Sequence, residues 1–194
     1  MARRLTGADE TTWEARTGDA ADVAVPRLFG DGGHPTTQLA AEAVERAIRA
    51  CASPRVLDAG TGTGVLAERA RACGASEIVA VDRDAAAVLN ARARVPEARV
   101  ARRDLERPLH DLGRFDVIVA NLPYPEVRRC IPHLAGVAAF GARVIVTGAP
   151  LVFAGRCERT LTACGLRVAE RRALSGWCAL IAFRRGTDIQ PCAR

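Results

Sequence analysis

The stretch that decides the fold is Val56-Leu57-Asp58-Ala59-Gly60-Thr61-Gly62-Thr63-Gly64. It joins a short apolar run to a helical pattern that continues from about Val65 to Arg71. Glycines at such a junction allow a tight strand-to-helix turn and let a ligand lie against bare backbone. The sequence therefore predicts a β-strand, a ligand-binding turn and an α-helix, in this order.

The alternation of strands and helices continues along the chain. Predicted strands cover Arg55–Ala59, Glu77–Asp82, Arg99–Arg103, Phe115–Ala120, Arg143–Thr147, Leu166–Leu174 and Trp177–Phe183. Predicted helices cover 38–48, 65–71, 85–93 and 152–163, and a further helix after the fourth strand is expected to be broken by Pro132. Such alternation indicates a parallel sheet, and the near-continuous apolar strands indicate a sheet that is covered on both faces. Because only Ser175-Gly176 separates the last two strands, we expect an α/β fold with a mostly parallel seven-stranded sheet and a C-terminal antiparallel hairpin.

The chain has 194 residues, of which 26% are charged and 49% are hydrophobic. This length favours one domain, which we place at residues 26–186, between an N-terminal extension or lid at 1–25 and a flexible tail at 187–194. No apolar run approaches the ~18 residues of a transmembrane helix, and the N-terminus lacks the apolar segment of a signal peptide. We therefore expect a cytoplasmic protein without a membrane partner.

Charge and cysteine usage bear on partners and metals. The formal net charge is +6 and all 28 basic residues are arginines; the cluster Arg99, Arg102, Arg103 and Arg107 favours a nucleic-acid surface. An aromatic content of 4% leaves little for base stacking, which makes nucleic acid the less favoured partner. The number of cysteines, seven, is odd, and no two of them have Cys-x-x-Cys spacing. The three histidines show no metal-ligand spacing with cysteine or carboxylate residues either. We expect reduced thiols and no metal.

The glycine spacing and the carboxylate before it point to the chemistry of the ligand. A dinucleotide turn has the pattern Gly-x-Gly-x-x-Gly and holds pyrophosphate on backbone amides. Here the pattern is Gly-x-Gly-x-Gly, and Asp58 would repel pyrophosphate but suit a cationic amino-acid ligand. S-adenosylmethionine (SAM) carries an ammonium and a sulfonium and no phosphate. We therefore predict SAM as the cofactor, with Gly60, Thr61, Gly62 and Gly64 at the binding turn.

Acidic residues after the next two strands complete the predicted cofactor site. Asp82 follows the glycines by about 20 residues, where a carboxylate can accept hydrogen bonds from both ribose hydroxyls. Its neighbour Arg83 is included in the site, and Asp84 is expected to cap the following helix. Asp104 can accept a hydrogen bond from an adenine amino group, next to Leu105, although a turn role for Asp104 is almost equally favoured.

The fourth strand delivers Asn121-Leu122-Pro123-Tyr124 to the same edge of the sheet. Methyl transfer is an in-line displacement that needs a neutral lone pair aligned with the methyl carbon. A nitrogen acceptor becomes more positive as it attacks, so the Asn121 side-chain oxygen and the Leu122 carbonyl would orient and stabilise it. Tyr124 could stack on a planar acceptor or close over an aliphatic one. We predict Asn121, Leu122 and Tyr124 as the catalytic residues; an ordinary strand-end turn is the alternative.

Two motifs resemble known families. The segment from Asp58 to Gly64, together with Asp82, resembles the SAM site of class I methyltransferases, which implies their Rossmann-like fold. The segment Phe29-Gly30-Asp31-Gly32-Gly33-His34-Pro35-Thr36-Thr37 resembles the Phe-Gly-x-Gly-x-His-x-Thr-Thr motif of the bacterial ribosomal-protein methyltransferases, which trimethylate amino groups on a stalk protein of the large subunit. This resemblance covers about Arg27 to Arg185. It implies that Thr36 and Thr37 lie by the methionine part of SAM and that Asn121 lies at the methyl end, while His34 packs or caps within the loop.

The chain departs from that family in two respects. Residues 1–25 are too few for the substrate-presenting N-terminal domain, and Asn-Leu-Pro-Tyr replaces the usual Asn-Ile-Leu; it looks like the motif of rRNA adenine dimethyltransferases. Our leading hypothesis is therefore a SAM-dependent N-methyltransferase that acts on an amine of a small molecule or peptide. Alternatives are a protein-lysine or ribosomal-protein methyltransferase, an RNA adenine methyltransferase and a non-catalytic SAM-binding subunit. The acceptor, the number of methyl groups transferred and the oligomeric state stay open.

Overall fold

The structure is a computed structural model that describes residues 32–185. The helices of this part are α1 (Pro35–Arg49), α2 (Val65–Ala72), α3 (Ala85–Arg94), α4 (Glu126–Val137) and α5 (Ala154–Ala163). The strands are β1 (Arg55–Ala59), β2 (Glu77–Asp82), β3 (Arg99–Arg102), β4 (Phe115–Asn121), β5 (Ala138–Pro150), β6 (Leu166–Leu174) and β7 (Trp177–Arg184). Short 3₁₀ turns lie at His110–Leu112 and Leu151–Phe153.

The seven strands form one sheet in the order β3-β2-β1-β4-β5-β7-β6. The pairs among β1 to β5 are parallel, whereas β7 runs antiparallel to both β5 and β6. At the hairpin turn Ser175 and Gly176 both have positive φ, 49° and 80°, which matches the twist of the flanking strands. The predicted Rossmann-like α/β fold with a C-terminal antiparallel hairpin is confirmed.

Helices cover the sheet on both faces, as the apolar strands predict. Successive residues of β1 belong to different cores: Val56 packs with α1, α2 and α3, while Leu57 packs with α4 and α5. The same division occurs in β4, where Val117 and Ile118 face opposite cores. All four side chains are fully buried, so β1 and β4 are central strands that hold the ends of their loops in fixed positions.

Some predicted boundaries were wrong. Helix α4 continues through Pro132, although proline removes one intrahelical hydrogen bond. Its apolar face, with Val127, Ile131 and Leu134 fully buried, holds the helix together across that point. Strand β5 begins earlier than predicted, because its first residues continue directly from α4 and pair with the start of β4.

Several expectations fall outside the described residues. They are the extension or lid at 1–25, the tail at 187–194 and the first part of the glycine-rich segment, Phe29 to Asp31. The domain boundaries stay predictions. Among the described helices, none combines the length and the apolar character needed to cross a membrane.

Candidate active site

The candidate site lies at the carboxyl ends of β1, β2 and β4. Strand β1 pairs in parallel with β2 on one side and with β4 on the other, so the chain leaves β1 in one direction and later returns to its opposite edge. In open α/β sheets such a reversal opens a crevice above the carboxyl ends of the strands. The ends of these strands and the loops after them carry many of the predicted site residues; Thr36 and Thr37 come from α1, and Asp104 and Leu105 follow β3.

The glycine turn between β1 and α2 is held against β2. Gly60 N–H and Thr61 N–H both donate to the Val81 carbonyl, at 2.8 and 3.0 Å. Gly60, Gly62 and Gly64 have φ of 79°, 54° and 81°, in the region that L side chains rarely adopt. A Cβ on Gly62 would meet no atom within 4 Å, so this part of the turn leaves open space for a ligand.

The other two glycines allow close packing with neighbouring segments of the protein. A Cβ on Gly60 would lie 2.3 Å from Leu122 Cδ2, so Gly60 makes room for the loop after β4. A Cβ on Gly64 would lie 3.0 Å from the Ala91 Cα, so Gly64 allows α2 and α3 to approach. The cofactor roles of Gly60, Gly62 and Gly64 stay predictions; Gly64 lies next to helix α3.

Asp58 lies beneath the glycine turn and organises it. Its Oδ2 accepts a hydrogen bond from Thr61 Oγ1 (2.7 Å) and another from Ala67 N–H (3.1 Å) in the first turn of α2. Its Oδ1 is buried and has no hydrogen-bond partner within the described residues. Burial raises the pKa of Asp58 to about 6, because the ionised carboxylate loses its contact with water. The two hydrogen bonds act in the opposite direction and lower the pKa, whereas the nearby negative charge of Asp82 raises it further.

Asp82 ties the end of β2 to the glycine turn. Its Oδ2 accepts from Gly62 N–H at 2.9 Å and its Oδ1 accepts from Asp84 N–H at 3.0 Å. Each carboxylate oxygen can accept more than one hydrogen bond, so capacity for ligand hydroxyls is left. Asp84 caps α3 through a hydrogen bond from Ala86 N–H to its Oδ1 (2.9 Å), as predicted, and Arg83 forms a salt bridge with Glu126 (3.1 Å).

Asn121 ends β4 and faces the first turn of α1. Its Nδ2 donates to Thr37 Oγ1 at 3.3 Å, while its Oδ1 is buried and has no partner among residues 32–185. Thr36 is fully buried beside His34, which caps α1 by accepting from Thr36 N–H at 3.3 Å. The ring of His34 packs edge-on against Trp177 with centroids 5.0 Å apart. His34 therefore has the capping and packing role that the sequence suggests.

Two adjoining cavities meet at Gly60 and bring most of the predicted cofactor residues together. The larger one, of about 300 Å³, is lined by Gly60, Asp82, Arg83, Asp84, Asp104, Leu105, Glu106, Leu122, Pro123 and Glu126. The smaller one, of about 70 Å³, is lined by Thr37, Gly60, Thr61, Gly62, Thr63, Val65, Leu66 and Asn121. Thr36, Asp58 and Gly64 line neither cavity and support their walls from behind.

Asp104 is a turn residue that also lines the larger cavity, and its contact with adenine stays a prediction. Its Oδ1 accepts from Glu106 N–H at 3.0 Å, which is the contact of a turn residue, and it also lines the larger cavity. Leu105 is buried next to it and supplies an apolar wall. Glu106 and Glu126 line the same cavity and were missed by the sequence analysis, because neither belongs to a motif.

Tyr124 lies apart from the two cavities. Its ring stacks on Phe153 with a centroid distance of 4.1 Å and an interplanar angle of 5°. One face of the ring is therefore covered, so only the other face could stack on an acceptor. Tyr124 lines a separate cleft of about 430 Å³ with Arg128, Arg156, Arg159, Thr160 and Ala163, which we call the basic cleft.

Gly148 in β5 is a structural determinant of the site that the sequence analysis also missed. A Cβ on Gly148 would lie 2.1 Å from the Leu122 carbonyl oxygen and 2.8 Å from the Leu122 nitrogen. The backbone after Asn121 therefore rests directly on this glycine. A glycine inside an otherwise apolar strand is the signal that could have revealed this close approach.

Most arginines of the cluster that favoured a nucleic-acid surface interact with other groups of the protein. Arg103 pairs with Asp111 (2.9 Å), Arg107 lies 3.8 Å from Asp104, and Arg102 donates to the Arg83 carbonyl (2.8 Å). Within residues 32–185, no group of three or more His, Cys, Asp or Glu side chains could hold a metal ion, and the six cysteines of this part are free thiols.

Comparison with known proteins identifies relatives over most of the chain. The family model described as "Ribosomal protein L11 methyltransferase (PrmA)" matches residues 25–185. A protein from Halalkalibacterium halodurans named "Ribosomal protein L11 methyltransferase" is 36% identical over 158 residues, which cover 79% of this chain and 50% of that protein. The chain spans about half the length of the curated relatives it matches.

Solved structures agree with this relationship. A ribosomal protein L11 methylase from Lactobacillus delbrueckii subsp. bulgaricus superposes with a TM-score of 0.73 and 27% identity, over 80% of this chain and 81% of that one. The amino pentose methyltransferase CalS10 from Micromonospora echinaspora, solved with SAM bound, has a TM-score of 0.64 at 16% identity, over 78% and 92% of the two chains. The similarity to CalS10 shows a shared fold only.

Proposed function

The chain belongs to the family of ribosomal protein L11 methyltransferases, and we propose that it is a SAM-dependent methyltransferase whose acceptor is an amino group of a protein. The observation that carries the proposal is Asn121 Oδ1, a buried acceptor without a partner at the carboxyl end of β4. Leaving such an atom unpaired costs about 1–3 kcal/mol, so it is expected to receive a hydrogen bond from a ligand. An attacking amine supplies this N–H.

The residues around the two cavities fit SAM. The Asp82 carboxylate retains capacity for ribose hydroxyls, and Asp104 and Leu105 offer a polar acceptor and an apolar wall for the adenine. Gly62 leaves open space beside Thr37 and Thr61, where the amino-acid end would lie. The buried Asp58 carboxylate, whose Oδ1 is unpaired, favours a cationic ligand through its charge although it stands behind the cavity wall.

The chain's own groups would align and stabilise a nitrogen acceptor. When bound, SAM supplies an electrophilic methyl group on a sulfonium. Thr37 fixes the Asn121 amide so that its Oδ1 stays available, and this oxygen would accept an N–H of the amine and stabilise the positive charge that grows on the nitrogen. The Leu122 carbonyl, held against Gly148, would be a second fixed acceptor.

The comparisons favour the protein-methyltransferase alternative over our leading small-molecule hypothesis. The family and the relatives it contains are named for the methylation of ribosomal protein L11. The RNA alternative is weakened because most arginines of the proposed nucleic-acid cluster have partners within the protein. Ribosomal protein L11 is therefore the first acceptor to test.

The test combines SAM titration with an acceptor screen. The full chain should bind SAM and its demethylated product, and intact mass spectrometry should detect methylated ribosomal protein L11 after incubation. An amine-bearing small molecule and an adenine-containing RNA serve as competing acceptors under the same conditions. Methylation of either of these but not of the protein would reject the proposed acceptor, and no binding of SAM would reject the activity.

We predict that Asn121→Ala lowers the methylation rate about a hundredfold, since it removes an acceptor fixed at the reacting nitrogen. SAM binding should change little, because Asn121 is one of eight residues that line the smaller cavity and does not line the larger one. Asn90→Ala is the matched control, as Asn90 is exposed on α3 away from both cavities. Equal rates in the Asn121 variant and the wild type would refute the assigned role.

A further inference from the structure

The basic cleft lies beside the loop that carries Asn121. It lies between α4, which contributes Arg128, and α5, which contributes Arg156 and Arg159. Tyr124, three residues after Asn121, is one of its lining residues and connects the cleft to the loop of the candidate active site. None of its lining residues is acidic, so three guanidinium groups set the charge of a cleft of about 430 Å³.

Two of these arginines are not neutralised by the protein. Twelve arginines of the described part form salt bridges with Asp or Glu; Arg128 and Arg159 are not among them and form none within residues 32–185. Both are exposed. Arg156 interacts with the aromatic residues beside the cleft: it donates a hydrogen bond to Tyr124 Oη at 3.4 Å and lies over the Phe153 ring at 5.5 Å. Arg128 and Arg159 therefore supply the positive charge that a ligand would meet.

An apolar rim adjoins the cleft. Leu151 is 41% exposed and Val152 is 83% exposed, directly before Phe153, whose ring stacks on Tyr124. Exposed apolar side chains next to positive charge fit a protein surface better than a phosphate backbone. Tyr124 has one ring face covered by Phe153, which leaves little for stacking on unpaired bases.

We propose that the basic cleft binds acidic side chains of the acceptor protein, close to the amino group that is methylated. The proposal rests on the function proposed above and specifies its substrate class: a segment in which Asp or Glu residues flank the acceptor amine. Arg128 and Arg159 would form charge-assisted hydrogen bonds with these carboxylates, and the Leu151–Val152 rim would contact apolar side chains next to them. The arginines thereby act as specificity-determining residues.

The test measures peptide binding separately from methyl transfer. Fluorescently labelled peptides with a central lysine flanked by glutamates, or by glutamines at the same positions, are titrated with the full chain in the presence of the demethylated product of SAM. The wild type should bind the glutamate peptide about fivefold more tightly, as expected for two exposed charge pairs. The double variant Arg128→Gln/Arg159→Gln should lose this preference while its circular dichroism and SAM binding stay unchanged.

The matched control is Arg167→Gln. Arg167 is exposed, forms no salt bridge in the described part, and pairs with Phe183 at the end of the sheet opposite the candidate site. It should keep the full glutamate preference. Equal binding of both peptides by the wild type, or an equal loss in the Arg167 control, would overturn the proposal.

Nucleic acid is the competing occupant. An oligoribonucleotide that binds more tightly than the glutamate peptide, and is released in the double variant, would assign the cleft to RNA and reject the proposal. Because methyl transfer is absent from these titrations, glutamate-selective binding without methylation of any acceptor would support the cleft and count against the proposed function alone.

Discussion

Asp58 and Asn121 carry the two side-chain oxygens that are buried without a hydrogen-bond partner in the described part of the chain. Both lie at the carboxyl ends of neighbouring strands, β1 and β4. Each unpaired buried acceptor costs about 1–3 kcal/mol, so their occurrence at one end of the sheet is expected of a ligand site and not of a core. At Asp58 the cost is larger, because the unpaired atom belongs to a carboxyl group.

We predict that Asp58→Asn has opposite effects on stability and on SAM binding. At pH 7.5 the carboxyl is ionised in spite of its burial, and a pKa raised to about 6 corresponds to roughly 3 kcal/mol of lost stability. Asparagine can still accept hydrogen bonds from Thr61 and Ala67. The variant should therefore unfold at a higher temperature, with roughly 1–3 kcal/mol of added stability. The gain is below the stability lost by burying the charge, because the new amide N–H has no partner. SAM affinity should fall about tenfold, since the negative charge near the cationic ligand is lost.

Asp116→Asn is the control for this substitution. Asp116 is an aspartate of β4 whose Oδ2 accepts from Arg55 N–H at 2.9 Å, at the end of the strand far from Asn121. Its replacement should leave SAM affinity unchanged in calorimetric titration. A less stable Asp58 variant with wild-type SAM affinity would contradict the role assigned to this carboxylate.

The position of the loop after β4 depends on the neighbouring strand β5. The Leu122 backbone lies against Gly148, which has a φ of 90°, so an added methyl group meets both strain and a carbonyl oxygen at 2.1 Å. We predict that Gly148→Ala displaces the Asn121–Tyr124 loop and lowers methylation at least about a hundredfold, because misplacement of reacting groups by an ångström costs this much. Measured rates with SAM in excess would test it.

Gly141→Ala is the control that distinguishes the steric clash with Leu122 from the backbone strain of a positive φ. Gly141 belongs to the same strand and also has a positive φ, 78°, but a Cβ there would meet no atom within 4 Å. This variant should lose some stability to the unfavourable φ and retain its methylation rate. If both variants lost activity to the same extent, strain in β5 and not the contact with Leu122 would be the cause.

Most elements could be predicted from the sequence because their signals are local. The hairpin followed from Ser175-Gly176 between two apolar runs, and β1 with its turn followed from three glycines after Asp58. The break at Pro132 was a wrong prediction, since the buried face of α4 outweighs one lost hydrogen bond. The contact between Gly148 and Leu122 could not be read from either segment alone, because it joins the ends of two strands.

The molecule as a whole divides its arginines into paired and unpaired groups. The cluster at 99–107, which stands out in the sequence, is largely occupied by Asp111, Asp104 and a backbone carbonyl. Arg128 and Arg159 are among the arginines that form no salt bridge within residues 32–185; they are 31 positions apart and line one cleft only because α4 packs beside α5. Net charge could therefore be counted from the sequence, whereas the position of the free positive charge required the fold.

The candidate site joins α1, β1, β2 and β4, so a ligand bound there should stabilise the whole domain and not a single loop. At a SAM concentration of 100 times Kd, the gain is about 2.7 kcal/mol, which raises Tm by roughly 5–10 °C for a domain of this size. We predict that this gain depends on pH through Asp58. Its pKa of about 6 is above that of an unfolded aspartate, so in the free protein its contribution to stability is lost as the pH rises through 6.

A cationic ligand favours the ionised carboxylate, and SAM should therefore lower this pKa and recover part of the lost stability. The rise in Tm on adding SAM should thus be small at pH 5 and grow until about pH 7. Glu77 and Glu170 do not interfere, because hydrogen bonds from Arg55 and from Arg172 lower their pKa values, and their stabilisation is lost only below pH 4.5. Thermal unfolding with and without SAM across this range would measure the effect. Asp58→Asn should remove the pH dependence, and a wild-type Tm shift that is equal at pH 5 and pH 7 would exclude Asp58 as its source.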